Sequence, residues 1–274
     1  MQNNKYRIGK YEIFIPENFG LPNFQENCRL YDRFLPVLAS FLPENTKIID
    51  VGANIGDTLF SLINECENDI LCVEASDVFF EFLKNNIKLL SNPDSIRVKS
   101  INEFVGTGRY NGFFEHTHLG TAKLVDDENF KISFKLLDDL VALKNNISLL
   151  KVDTDGFDFD VIMSANQIIN ESQPILFWEN LIENMNQLES YKEFYNWLEN
   201  NGYEYFCVFD NFGNIVFDSK DYKLLEKLNN YLISMELNLS VRTIYYFDIV
   251  ACTSKYKNVV DSAIIKYKEK YIKQ

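Results

Sequence analysis

The hydrophobic positions of the chain change their spacing in a regular rhythm. Short continuous apolar runs at 47–51 (KIIDV), 70–73 (ILCV), 96–101, 147–152 (ISLLKV) and 174–178 (PILFW) predict strands. Between them, apolar residues recur at helical spacing. Leu59, Phe60, Leu62 and Ile63 mark a helix over 57–66. Phe79, Phe80, Leu83, Ile87 and Leu90 mark another, which Ser76 or Asp77 can cap. Residues 137–143, 157–169 and 188–199 read as helices in the same way. Runs that are continuous rather than alternating suit strands buried on both faces, as in a parallel sheet. Strand and helix in alternation imply a doubly wound α/β sheet.

Several segments depart from this rhythm. Residues 7–15 alternate apolar and polar, which predicts an edge strand or hairpin. The stretch 106–135 holds four glycines and both histidines, with alternation in 131–135 (KISFK) that predicts a small β insert. Runs at 203–209 and 214–217 flank Asp-Asn-Phe-Gly, a hairpin signal. Residues 243–251 predict a final strand, and 255–274 a Lys- and Tyr-rich amphipathic helix. The chain shows no linker. It divides into an N-terminal elaboration (1–44), one α/β domain (45–254) and a C-terminal helix (255–274).

Composition narrows the classes. With 274 residues and 46% hydrophobic content, the chain can bury a core without disulfide or metal staples. It carries 27 basic and 40 acidic residues, a net charge of −13, which counts against nucleic-acid and anionic-membrane partners. Five cysteines without a C-x-x-C pair, and only two histidines, His116 and His118, count against a zinc site. The first 20 residues place charges where a secretory apolar region would lie, and no apolar run reaches the ~18 residues of a membrane span. The expectation is a cytoplasmic protein acting on a small molecule.

The strongest chemical signal is Asp50-Val51-Gly52-Ala53-Asn54-Ile55-Gly56, where a buried strand runs straight into a helix. In open α/β sheets, ligands bind outside the carboxyl ends of the strands. Gly52 lets backbone pass close to a ligand, and Gly56 lets the helix start close to the sheet. A dinucleotide fingerprint would need glycines at 54 and 57, which are Asn54 and Asp57. Glu74, at the end of the next strand, can accept hydrogen bonds from vicinal ribose hydroxyls.

DVGANIG followed by VEAS resembles the S-adenosylmethionine site of class I methyltransferases. The run from Leu149 to Asp158 (LLKVDTDGFD) is similar to the K-[IV]-D-x-[ED]-G-x-[ED] signature of the FkbM family. Leu137-Asp138-Asp139-Leu140 before it, and a proline-led strand ending at Glu179 after it, also match that family. The resemblance covers about 45–180. It implies a Rossmann-like, mostly parallel seven-stranded sheet with flanking helices, and O-methylation of a small metabolite, sugar or glycan building block. It implies that Asp50, Gly52, Ala53, Asn54 and Gly56 hold the methionine end of the cofactor, and Glu74 the ribose. Ala75, Ser76 and Asn102 would line the adenine, with Asp153 near the sulfonium. A nicotinamide-dependent oxidoreductase and a non-catalytic interaction protein are the alternatives.

Proton removal from an acceptor hydroxyl needs a base or a metal. Asp153 and Asp155 lie at the strand end, with Asp158 and Asp160 following. Asp155 stands where the family carries glutamate, one methylene longer. Four aspartates are also a donor set that Mg²⁺ takes, but helix capping ranks above metal binding for Asp158, and no metal is assigned. Lys151 can orient an acceptor or pair with a carboxylate. His118 is a candidate base at the glycine-rich insert. Glu179 and Asn180 are candidate acceptor contacts.

Overall fold

The computed structural model describes residues 4–108, 112–116, 122–126, 133–238 and 241–272, with 112–116 and 122–126 as backbone. The chain opens with a hairpin, β1 (Asn4–Ile8) and β2 (Tyr11–Ile15), and two short helices, α1 (Leu21–Asn27) and α2 (Phe34–Ala39). There follow β3 (Lys47–Val51), α3 (Asp57–Ile63), β4 (Asp69–Val73), α4 (Asp77–Ile87) and β5 (Val98–Ile101). A second hairpin, β6 (Gly112–His116) and β7 (Ala122–Asp126), precedes α5 (Leu137–Leu140) and β8 (Ile147–Val152). Next come α6 (Asp158–Met163), α7 (Asn166–Ser172), β9 (Ile175–Leu181) and α8 (Met185–Asn200). The chain continues through β10 (Tyr205–Asp210), β11 (Ile215–Ser219), α9 (Lys223–Asn238), β12 (Tyr246–Cys252) and α10 (Lys257–Tyr271).

Eight strands form one mixed sheet in the order β11-β10-β12-β9-β8-β3-β4-β5. The five from β9 to β5 are parallel, as their continuous burial suggested. This is the doubly wound α/β, Rossmann-like sheet with one strand more than the expected seven. The addition is β11, laid on the edge by the hairpin at Asp210. Asp210 Oδ1 accepts from Phe212 N (3.0 Å) and Asn214 N (2.9 Å), and Gly213 takes φ +90°, so the turn residues dictate the pairing. From β3 the chain moves outward to β4 and β5, then returns to β8 on the other side of β3. That reversal creates a switch point at the carboxyl ends of β3 and β8.

Both terminal segments share the core of the central domain. Ile8, Ile13 and Ile15 of the first hairpin belong to the same buried cluster as Leu59, Phe60 and Leu83. Asn86 clamps the edge of β2, accepting from Phe14 N (2.8 Å) and donating to Phe14 O (2.9 Å). On α10, Val260, Ala263 and Tyr267 are buried, and the Tyr267 ring meets Phe34 of α2 edge-on at 5.5 Å.

The helix expected over 157–169 is two helices. Ser164 breaks it by donating back to Val161 O (2.6 Å) while accepting from Leu137 N (3.1 Å), which pins α5 at the break. The β insert is the β6–β7 hairpin, a separate two-stranded sheet lying earlier than the alternation at 131–135. Lys135 instead forms an isolated parallel bridge with Val105. Among the described residues no helix is long and apolar enough to cross a membrane.

Candidate active site

The turn after β3 has little room. Gly52 takes φ +77°, and a Cβ there would lie 1.8 Å from the carbonyl oxygen of Asp153. Only glycine allows this turn to cross the end of β8. The amides of Gly52 and Ala53 both donate to Val73 O (2.9 and 3.1 Å), and Asp153 N donates to Val51 O (3.0 Å). The ends of β3, β4 and β8 are thereby tied together. Asn54 is left-handed at φ +47°, and Gly56, at φ +94°, starts α3.

Glu74 closes this frame. Its Oε2 accepts from Asn54 N and its Oε1 from Ser76 N, each at 2.7 Å. Asn102 reaches across to donate to the carbonyls of Glu74 (2.9 Å) and Ala75 (3.3 Å), so it fixes the loop after β4. Ser76 caps α4 by accepting from Phe79 N (3.3 Å), as expected. Burial pushes the Glu74 carboxyl up to about 7, against the pull of its two backbone donors.

Asp50 and Lys151 face each other on neighbouring strands, as their register partnership requires. Both are buried, with Lys151 Nζ 3.0 Å from Asp50 Oδ1, 3.5 Å from Asp153 Oδ2 and 3.3 Å from Gly52 O. The pair is ionic. No aligned hydrogen bond reaches either Asp50 oxygen among the described residues. Burial alone would lower the lysine, but the Asp50 and Asp153 carboxylates outweigh it and hold the ammonium well above its usual range. Lys151 is thus a permanent cation and cannot itself accept a proton.

The four clustered aspartates separate by task. Asp158 accepts from Thr154 N (3.2 Å), Thr154 Oγ1 (3.0 Å) and Glu179 N (3.0 Å), stitching the end of β8 to β9. Asp160 accepts from Thr107 N (2.9 Å) and Thr107 Oγ1 (2.5 Å). Asp153 and Asp155 line the cavity described below. Among the described residues no group of three or more acids, cysteines or histidines is arranged to hold a metal ion. His118 lies outside the described residues. His116 ends β6 opposite Ala122.

A cavity of about 850 Å³ opens at the switch point. Gly52, Asn54, Glu74, Ala75, Ser76 and Lys151 line it, as do Asp153, Asp155 and Glu179. Asp50, Ala53, Gly56 and Asn102 do not line it, though Asp50 pairs with the lining Lys151 and Asn102 holds the Glu74–Ala75 loop. Asn180 is not brought there. It is buried on the other side of the sheet, donating to Asn229 Oδ1 (2.7 Å) and accepting from Tyr195 OH (2.6 Å).

The cavity also gathers residues that the sequence reading did not select: Tyr31 and Asp32 before α2, Asp57 on α3, and Tyr246 and Asp248 on β12. Asp32 is exposed where it lines the cavity, and its carboxyl is raised to about 7, chiefly by desolvation and then by Asp57 and Asp153. Burial raises Asp57 to about 6. Burial, then neighbouring carboxylates, push Asp248 and Glu179 well above the carboxylate range. Asp248 had a signal, a lone carboxylate in the apolar run YFDIVAC. Asp32 had none.

Among known families, the chain matches the model described as the methyltransferase FkbM domain over residues 50–205. A search of curated proteins returns no match. Solved structures of similar shape include TYW2 of P. horikoshii in complex with MeSAdo, at 14% identity, covering 92% of this chain and 72% of that one, with a TM-score of 0.48. The O-methyltransferase of Bacillus cereus in complex with SAH matches at 13% identity, covering 88% and 93%, with a TM-score of 0.46. The precorrin-6y C5,15-methyltransferase of Geobacter metallireducens matches at 13% identity, covering 85% and 86%, with a TM-score of 0.39.

Proposed function

Because the chain belongs to the methyltransferase FkbM domain family, we propose that it methylates a hydroxyl oxygen of a small metabolite, sugar or glycan building block, using S-adenosylmethionine. The observation that carries this reading is the buried Glu74 carboxylate, held at the mouth of the Gly52–Gly56 turn by two backbone N–H groups. That arrangement suits vicinal ribose hydroxyls. The cavity volume lies in the upper part of the ~300–1,000 Å³ range of small-molecule sites, which leaves room for an acceptor beside a cofactor.

S-adenosylmethionine, once bound, would supply an electrophilic methyl carbon with sulfur as the leaving atom that keeps the electron pair. The chain's residues do the rest. Gly52, Ala53, Asn54 and Gly56 shape the methionine end of the site, and Asp50 sets Lys151. Ala75 and Ser76 flank the adenine, and Asn102 holds their loop. Asp153 projects into the cavity with its side chain half exposed, 3.5 Å from Lys151. It takes the proton of the acceptor hydroxyl as the new C–O bond forms, with Asp155 as the neighbouring carboxylate. Lys151, fixed as a cation, positions Asp153. Glu179 contacts the acceptor.

Calorimetric titration with S-adenosylmethionine and S-adenosylhomocysteine, with NAD⁺ as control, tests the reading. Micromolar binding of both S-adenosyl compounds is expected. Glu74→Ala should weaken it about 100-fold, for two charge-assisted hydrogen bonds of roughly 1.5 kcal/mol each. Absence of binding would sink the proposal. Asp153→Asn should bind S-adenosylhomocysteine normally, with turnover about 10² to 10⁴-fold lower.

A further inference from the structure

The wall of the cavity beyond the Glu74 corner is acidic in a way the fold does not explain. Asp248 is the cross-strand partner of Glu179 in the β9–β12 ladder, and both line the cavity. Like charges placed directly opposite in a sheet repel. Asp153 follows Val152, the register partner of Trp178, so it stands beside Glu179 on the next strand. The three carboxylates form a row along one edge of the sheet, and Asp32 lines the same space. Glu179 is nine-tenths buried, and its Oε2 has no hydrogen-bond partner among the described residues.

Among the described residues, the cations on the cavity wall do not answer this row. Lys151 is engaged with Asp50 and Asp153. Arg242 pairs with Glu236 through Nη2, and its Nη1 has no partner among the described residues. Among the described residues, Arg33 and Arg242 Nη1 remain, against Asp32, Asp57, Glu74, Glu179 and Asp248 on the same wall. An S-adenosylmethionine molecule, with one sulfonium, one ammonium and one carboxylate, adds a single net positive charge.

We propose that the methyl acceptor is itself a cation, an aliphatic amino alcohol or amino sugar whose ammonium sits between Glu179 and Asp248 and whose hydroxyl faces Asp153. This rests on the methyltransferase reading above. An ammonium held by two carboxylates keeps its proton and has no lone pair to attack with. It therefore anchors the acceptor, and the neighbouring hydroxyl receives the methyl. Tyr31 and Tyr246, on the same wall, offer further polar contacts and aromatic faces to such a cation.

The test uses the full chain saturated with S-adenosylhomocysteine, whose binding is measured first. Thermal shift and calorimetry then compare matched probes: glucosamine, glucose and glucuronate, and ethanolamine against ethylene glycol. The amines should bind about tenfold or more tightly than their neutral partners, and glucuronate should be rejected. Glu179→Gln and Asp248→Asn should each remove the amine preference while S-adenosylhomocysteine still binds. The proposal is overturned if no amine outdoes its neutral counterpart on the loaded protein, or if both variants keep the preference. Failure of S-adenosylhomocysteine itself to bind would instead overturn the methyltransferase reading.

Discussion

Glu179 and Asn180 are neighbours on β9, and alternation sends them to opposite sides of the sheet. On one side, Asn180, Tyr195 and Asn229 close a ring of hydrogen bonds at 2.6, 2.7 and 2.9 Å. Each member of the ring has a protein partner, and the ring joins β9 to α8 and α9. On the other side, Glu179, Asp248 and Asp153 stand in a row that, among the described residues, only Lys151 reaches, at Asp153. The ring is fully buried, while the row runs from buried Glu179 through half-buried Asp248 to the half-exposed Asp153. A buried polar group that the chain satisfies is scaffold. One that it leaves open has a use only when something else arrives.

Breaking the closed ring should produce the largest effect. Asn229→Leu leaves Asn180 and Tyr195 short of partners in the core, which should cost about 3 kcal/mol and lower Tm by about 8 °C. Cofactor affinity, read by calorimetry below the new Tm, should not change. An equal loss of affinity would show that the ring belongs to the site.

Acidity should next separate the two sides. The open side carries carboxyls raised above their unfolded values, Asp32 and Glu74 to about 7 and Asp57 to about 6, and Asp158 beneath it is raised to about 7 by burial. Between about pH 4 and pH 7 the folded state holds protons that the unfolded chain has released, so stability falls as pH rises through that window. Asp94, lowered to about 2, contributes only below that range. Ligand-free protein should therefore melt several degrees higher at pH 5.5 than at pH 7.5, by calorimetry or circular dichroism. A bound cation should flatten the difference. A Tm that rises with pH would contradict the arrangement.

Glu179→Gln should give the smallest shift and the opposite sign to the asparagine variant. At a pH high enough to ionise Glu179, removing this buried acid, whose Oε2 has no partner among the described residues, should stabilise the ligand-free protein by about 1 kcal/mol. Stability gained by a change at a cavity residue, together with lost acceptor binding, would sharpen the contrast between the two sides.

Much of this was legible in the residues, and the reasons differ from element to element. The strands at 47–51 and 147–152 were read to the residue, because continuous apolar runs end sharply at Gly52 and Asp153. The 52–56 turn and Glu74 were legible because glycine and carboxylate at strand ends carry local meaning. Helix α9 was missed, although Leu225, Leu232 and Ile233 lie at helical spacing. Half of the segment is apolar, and Leu224, Leu225, Leu228, Tyr231 and Leu232 recur at helical spacing, so this signal lay in the residues. Asn180 was placed beside Glu179 by proximity in sequence, where the two-residue period of a strand separates them. Asp32 lies outside any periodic pattern, and only the tertiary fold brings it to the cavity.

The packing of α10 on α2 has a consequence for the order of events during synthesis. Tyr31 and Asp32, which complete the cavity wall, immediately precede α2, and α2 is buttressed through the Phe34–Tyr267 contact. Tyr267 also donates to Gly213 O (2.7 Å), tying the β10–β11 turn to the same point. A ribosome makes the wall residues first and the brace that seats them more than 200 residues later. Until α10 emerges, a nascent chain can assemble β3, β4 and the Glu74 corner, yet hold its acidic wall open.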